Sequence, residues 1–289
     1  MSSDSNGAVL LDGRAVSSSI RESLQVEVAE MVSRTGRRPV LATVLVGDDP
    51  ASHTYVRMKV AACAKVGLES RRVDLPSSST TEQVVSVVES LSTDPSVDGI
   101  LVQHPMPVRV DERAVFEAID PTKDVDGVTM TSFAAMGLGV AGYRSATPGG
   151  IMRLLDAYDI PIAGRRAVVI GRSAILGKPM GLLLLARDAT VTWCHSRTEN
   201  LRAHVENAEI VVAAVGSAGL VRGNWVSQGA VVIDAGYADN RGDVDFDGAS
   251  RRASHITPVP GGVGPMTITT LLEQTVRSAR ERERSTWIA

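Results

Sequence analysis

The 289-residue chain is short of aromatic residues, which make up 3% of it, has two cysteines, and contains no long apolar run. With so few rings, its 44% hydrophobic content must build a core from Val, Leu, Ile and Ala, the residues that fill sheets packed between helices. Cys63 and Cys194 lie far apart and have no ligand partners at zinc-like spacing. This excludes a disulfide framework and a cysteine metal site, and it points to buried free thiols in a reducing, cytoplasmic compartment. Lacking any transmembrane-length stretch, the chain reads as one that does not enter a membrane. The polar start from Met1 to Gly7 lacks the basic and apolar regions of a secretion signal and reads as a frayed tail. A formal net charge of -3 gives no bulk attraction for nucleic acid or an acidic membrane, so any anion must be held locally. The run from Arg277 to Arg284 mixes signs at helical spacing, as a solvated helix end does.

What is present is alternation. β-Branched apolar runs at Val40 to Val46, Gly99 to Val102, Ala167 to Ile170, Thr190 to Trp193, Ile210 to Ala214 and Val231 to Ile233 read as buried strands. Between them, Ala15 to Ser33, Ser52 to Val66, Thr81 to Ser92 and Pro148 to Asp156 read as helices. The βαβ repetition predicts an α/β fold with parallel sheets. The segment from Thr129 to Ala146 is rich in small residues without a clear period, and Thr147-Pro148-Gly149-Gly150 then opens a helix. This places a domain junction there: residues 1–146 form a first α/β domain, 147–266 a second, and the C-terminal helix from 267 packs back on the first.

In the second domain the strand Ala167 to Ile170 runs into Gly171-Arg172-Ser173-Ala174-Ile175-Leu176-Gly177 and then the helical run Met180 to Arg187. A strand, a glycine-bounded loop and a helix start can hold a phosphate on backbone N–H groups. The pattern is not G-x-G-x-x-G, and alone the two glycines also fit an ordinary turn. The next strand ends at Cys194-His195-Ser196-Arg197-Thr198, about twenty residues on, where an NAD site would place an acid for the ribose 2′-hydroxyl. Hydroxyls and Arg197 there, with Arg172 in the glycine loop, favour a 2′-phosphate and hence NADP, although both arginines also fit solvated surface positions.

In the first domain, a turn at Gly47-Asp48-Asp49-Pro50 leads into a helix on which Ser52, Tyr55 and Lys59 fall at i, i+3 and i+7, on one face. In a cleft, a desolvated lysine can exchange protons near neutrality; on an open helix the same pair is surface decoration. The apolar strand Gly99 to Val102 ends in Gln103-His104-Pro105, which puts polar groups at a strand's carboxyl end, where α/β proteins bind ligands. Lys123-Asp124-Val125-Asp126-Gly127 adds two carboxylates, and by spacing alone it is equally an Asp-Gly turn.

Taken in order, these segments and Pro258-Val259-Pro260-Gly261-Gly262-Val263-Gly264-Pro265-Met266-Thr267 resemble the bifunctional methylenetetrahydrofolate dehydrogenase/methenyltetrahydrofolate cyclohydrolase family from about Leu11 to the C-terminal helix. The resemblance implies a multifunctional NADP-dependent oxidoreductase and hydrolase of tetrahydrofolate one-carbon metabolism, feeding purine biosynthesis. It also implies a homodimer whose protomers have a cleft between an N-terminal catalytic domain and a Rossmann-type NADP domain. Lys59 would be the central acid/base, Gln103 would tune it, Tyr55 would stack on the folate and Asp126 would bind the pterin, with Ser52 and Pro265 also at the substrate. Thr147, Gly171, Arg172, Ser173, Ser196, Arg197 and Gly236 would contact the cofactor, and no metal is implied.

His104 and Met106 stand where the family usually has leucines, Ala146 replaces a frequent cysteine, and an asparagine common after Asp126 is missing. His104 either perturbs the lysine or caps its strand. These departures bear on cyclohydrolase efficiency and substrate fit. The competing readings are a monofunctional dehydrogenase or paralogue for a modified folate, a folate-binding scaffold, and a generic NADP dehydrogenase of another small substrate. An attached formyltetrahydrofolate ligase is excluded, since the chain has no G-x-x-x-x-G-K-[ST] loop.

Overall fold

The structure, a computed structural model, describes residues 7–238 and 240–286, so the tail expected at residues 1–7 lies, but for Gly7, outside the described residues. Along the chain run β1 (Val9–Leu10), α1 (Gly13–Thr35), β2 (Val40–Val46), α2 (Pro50–Val66), β3 (Glu69–Leu75), α3 (Thr81–Thr93), β4 (Gly99–Val102), α4 (Glu112–Glu117), α5 (Met130–Leu138) and α6 (Ala146–Ala157). There follow β5 (Arg166–Ile170), α7 (Gly177–Leu185), β6 (Thr190–Cys194), α8 (Leu201–Glu206), β7 (Ile210–Ala213), β8 (Val231–Asp234), α9 (Phe246–Ser250), β9 (His255–Ile256) and α10 (Val263–Thr286). The chain divides into two compact units, one of residues 19–135, 141–146 and 268–286, the other of residues 7–18, 136–140 and 147–267. Among the described residues no helix is long and apolar enough to cross a membrane.

The first unit is built on a parallel sheet of order β3-β2-β4. Its central strand β2 is buried at all seven positions, as its unbroken apolar run requires of a strand covered on both faces. The edge strand β3, Glu-Ser-Arg-Arg-Val-Asp-Leu, mixes exposed and half-buried positions and was not anticipated, because its charges mask the period. Helix α2 starts where Asp49 accepts the Ser52 N–H at 2.7 Å with Pro50 in the first turn, and it stops at Gly67, whose φ of 87° suits a residue without a side chain. Helix α3 opens with a reciprocal capping box between Thr80 and Gln83 and buries Val84, Val88 and Leu91. The small-residue stretch after Thr129, in which the sequence shows no clear period, contains helix α5. Its Ala, Met and Leu content sustains a helix even without a polar face.

Leu271, Leu272, Val276 and Ala279 of α10 lie in the core of this unit with Leu41, Leu101, Cys63 and Val125. The charged end of α10 is more than a solvated tail. Arg282 reaches the fully buried carboxylate of Asp98 at 3.2 Å and also donates to the carbonyls of Val97 and Pro95. Arg37 forms a two-pronged pair with the same carboxylate at 2.9 and 2.6 Å, and the Val40 N–H donates to it at 2.8 Å. One buried acid thus ties β2, β4 and α10 together.

The second unit is a six-stranded parallel sheet of order β1-β9-β8-β7-β5-β6. The two-residue strands at its far edge, β1 and β9, are too short to carry a period and were not read from sequence. Strands β5, β7 and β8 are almost wholly buried, and Cys194, at the end of β6, is a buried free thiol, as is Cys63 in the other unit. The chain goes from β5 to β6 on one side and then crosses to β7 on the other. The switch point therefore lies between β5 and β7, where open parallel sheets leave a crevice at their carboxyl ends.

Replacing Asp98 with Ala leaves a buried N–H without an acceptor and two arginines without their anion. Because both arginines are partly exposed and can return to water, we expect a loss of about 2–3 kcal/mol in denaturant unfolding, and a loss under about 1 kcal/mol would show that the network does not anchor α10.

Candidate active site

In the three-stranded unit, α2 and the end of β4 converge on one amine. The Lys59 ammonium donates to Gln103 Oε1 at 3.0 Å, while Gln103 Nε2 donates to the His104 carbonyl at 2.6 Å, so the amide cannot flip without losing both bonds. Gln103 is buried behind the aliphatic run Ile100 to Val102. Lys59 opens partly to solvent, yet its amine is crowded by protein, and desolvation draws its pKa below the ordinary lysine value. The fields of Asp126 and, more weakly, the Cys63 thiol oppose that shift. Burial pushes the Asp126 carboxyl upward; the charges of Lys59 and His104 pull it back, and Asp124 adds to the rise. Burial therefore disfavours both charges of the Lys59–Asp126 pair, and each charge partly restores the other. A group so placed can take or give a proton in mild solution.

The loop carrying Asp126 is held by Asp124, which is fully buried. Its carboxylate accepts from the Val128 and Thr129 N–H groups, both at 3.0 Å, and from the hydroxyls of Thr129 at 2.7 Å and Ser132 at 2.5 Å. Gly127, at φ 65°, passes so close to Arg144 that a Cβ would lie 2.4 Å from its carbonyl carbon. Ser52 is buried one turn before Tyr55, which is 39% exposed and offers an aromatic face to a flat ligand. His104 is half-buried, and its charge is felt by Asp126.

In the six-stranded unit, the register Ile170↔Cys194 and Ile170↔Ala213 brings the loops after β5, β6 and β7 out at one edge. Gly171, at φ 131°, turns the chain where a Cβ would come 2.4 Å from the Ala214 carbonyl oxygen, and a Cβ on Gly177 would meet the Gly171 carbonyl at the same distance. Ser173 Oγ accepts from the N–H groups of Leu176 and Gly177, at 3.2 and 3.1 Å, which fastens the loop to the start of α7. Arg172, Ser196 and Arg197 are exposed, and neither arginine has an ion pair among the described residues. Two free guanidinium groups and a hydroxyl at adjacent strand ends, with no acid among the residues closing β6, suit a dinucleotide carrying an additional phosphate.

The remaining residues expected at the cofactor fall elsewhere in this unit. Thr147 accepts from the Thr267 hydroxyl at 3.1 Å; Pro265, expected at the substrate, sits in the first turn of α10. Gly236 is buried, and a Cβ there would strike the Asp243 carboxylate at 2.0 Å, so packing alone demands its glycine. The sequence reading missed that carboxylate. Asp243 accepts from Val215, Gly216 and Ser217 N–H groups at 2.7, 3.1 and 2.6 Å and so shapes the loop after β7. Asp234 in turn accepts from Gly236, Asp243 and Val244, and burial pushes its pKa up to about 6. The acid run Gly242-Asp243-Val244-Asp245 after a buried strand was the available signal.

Comparison with known proteins agrees with both halves of this arrangement. The catalytic-domain model of the tetrahydrofolate dehydrogenase/cyclohydrolase family matches residues 11–126, and the NAD(P)-binding-domain model of the same family matches residues 145–283. The chain is 65% identical over 273 residues to the bifunctional protein FolD 1 of Salinispora arenicola, covering 94% of this chain and 98% of that protein. Among solved structures, it superposes on the bifunctional FolD enzyme of Campylobacter jejuni with a TM-score of 0.92 at 41% identity, covering 95% of this chain and 99% of that one. It superposes equally, at 0.92 and 39% identity, on the Trypanosoma brucei dehydrogenase-cyclohydrolase complexed with NADP and an inhibitor, covering 96% and 99%. Two family domains over most of the chain, and relatives of this identity over nearly its whole length, establish that the chain belongs to the tetrahydrofolate dehydrogenase/cyclohydrolase family.

Proposed function

We propose that this chain oxidises 5,10-methylenetetrahydrofolate with NADP and hydrolyses the resulting 5,10-methenyltetrahydrofolate to 10-formyltetrahydrofolate, with Lys59 serving the proton transfers. The observation that carries the assignment of Lys59 is its desolvated amine, fixed on Gln103 at 3.0 Å and facing the field of Asp126. NADP, when bound, supplies the acceptor for the hydride of the methylene carbon. Gly171, Arg172, Ser173, Ser196 and Arg197 are the residues we assign to holding it, the arginines and Ser196 at the 2′-phosphate; Thr147 and Gly236 complete the set.

The oxidised carbon is a cation shared by two folate nitrogens, so the chain's own task is alignment followed by proton management. Hydrolysis adds water to that carbon and breaks one carbon–nitrogen bond. Neutral Lys59 can accept the proton of the attacking water and return one to the departing nitrogen. Gln103 keeps the amine aimed, because its amide is anchored at both ends. Asp126 is suited to hydrogen-bond the pterin N–H groups, Tyr55 to stack on the ring system, and Ser52 and Pro265 to border the substrate. The three-stranded unit is thus our folate-binding catalytic domain and the six-stranded unit the NADP domain. We also propose a cytoplasmic homodimer supplying purine biosynthesis. The open edge of β6 and the exposed Leu185 of α7 support pairing.

The whole reading is tested by mixing the protein with methylenetetrahydrofolate and NADP while following NADPH and methenyl product separately. NADPH without methenyl accumulation beyond the uncatalysed control is expected; persistent methenyl product would leave a dehydrogenase alone. Lys59→Met should abolish hydrolysis while NADP binding is retained, and undiminished hydrolysis would remove Lys59 from the chemistry. Because the Asp126 carboxylate raises the Lys59 pKa and hydrolysis uses the neutral amine, Asp126→Asn should move the acidic, rising limb of the hydrolysis rate profile to lower pH. A limb that stays in place would show the two groups are uncoupled. Arg172→Ala should weaken NADP by roughly tenfold or more and NAD far less; an unchanged preference would take that residue away from the 2′-phosphate.

A further inference from the structure

Apart from the crevice at the ends of β5, β6 and β7, the six-stranded unit carries a second concavity, an open pocket of about 990 Å³. It is walled by the 3-10 turn Gly223–Trp225, by α9 and by residues 240–242, and it contains none of the residues assigned to the cofactor. Arg222, Arg241 and Arg251 line it, all exposed and none with an ion pair or side-chain hydrogen bond to a described residue. Most other arginines of this unit are engaged: Arg165 on Glu209, Arg187 on Asp156, Arg202 on Glu206 and Arg252 on the Val226 carbonyl. A guanidinium group offers five N–H donors in a planar fork matched to carboxylate or phosphate oxygens.

The pocket also contains carboxylates, so their state decides its sign. Asp245 is occupied by the N–H groups of Gly223 and Gly248, both at 3.2 Å, and Asp234 by three N–H groups at 2.9 to 3.0 Å. Neither forms an ion pair with the arginines. Asp247 is exposed at the rim, likewise without a paired cation. The donors left over are the guanidinium groups, joined by the amides of Asn224 and Gln228, with Val244, Phe246 and Val259 as apolar surface. We propose that this pocket is a second anion site, separate from the dinucleotide crevice, taking a small molecule that bears two or more phosphate or carboxylate groups. Three cations spread around one concavity recognise separated charges better than a single one, and the apolar residues leave room for the carbon frame that joins them.

The test uses the full chain saturated with NADP, so that the phosphate positions of the crevice are filled. The preceding NADP titration reports separately on the cofactor reading. Inorganic tripolyphosphate and, in a second arm, citrate are then titrated by calorimetry at constant ionic strength. Saturable binding of at least one, one per chain, is expected, and the arm that binds tells phosphate from carboxylate. Arg222→Ala and Arg251→Ala should each weaken it by roughly tenfold, Asp247→Asn should tighten it, and Arg187→Ala, which removes an arginine outside the pocket, should leave it unchanged. No saturable binding in either arm, or an affinity in both arginine variants unchanged from that of the unsubstituted chain, would overturn the proposal.

Discussion

Parallel strands can be joined only by a crossover, and the crossovers turn one way, so every strand of a parallel sheet delivers its carboxyl end to the same edge. Both units of this chain obey that constraint throughout their named strands. In one unit the edge receives Gln103 at the end of β4, and in the other it receives Gly171 to Ser173, Ser196, Arg197 and the loop after β7. The strands themselves are aliphatic and nearly dry, so the first polar group to emerge from each meets a low-dielectric wall behind it and solvent ahead. That is the setting in which the charge of a lysine becomes costly and its proton mobile.

Buried carboxylates show how the chain separates scaffolding from chemistry. Asp98, Asp124, Asp234 and Asp243 are each buried, and each is met by several N–H, hydroxyl or guanidinium donors that fix the backbone around it. Asp124 and Asp126 are two residues apart in one loop and differ in this respect. Asp124 spends its oxygens on the loop itself, whereas Asp126 acts on Lys59 across space. A satisfied acid holds a shape; an acid kept close to a mobile proton is available to a ligand.

The parts legible in the sequence were those whose physics is local. Strand β2 is announced by an unbroken apolar run, and α2 by the turn through Asp49 and Pro50 that opens it. Strand β3 was hidden because an edge strand is free to carry Arg71, Arg72 and Asp74, and β1 and β9 because two residues have no period. Helix α5 was hidden by its composition, since a mostly apolar stretch of small residues announces neither face nor cap. Of the candidate site, the residue types and their order could be read, including Ser52, Tyr55 and Lys59 on one helical face and Gln103 at a strand end.

The sequence by itself determined the class of fold, the family and the set of candidate site residues, because alternation and ordered motifs are encoded within a few turns of chain. The tertiary structure alone decided which of those residues act on one another. That Lys59 reaches Gln103 across 44 positions, that Asp126 lies in its field, that Asp243 shapes the loop after β7 and that three arginines around α9 lack partners among the described residues are consequences of packing. Desolvation and Coulomb energy depend on the atoms that surround a charge, and distant segments supply those atoms only once the sheets have closed.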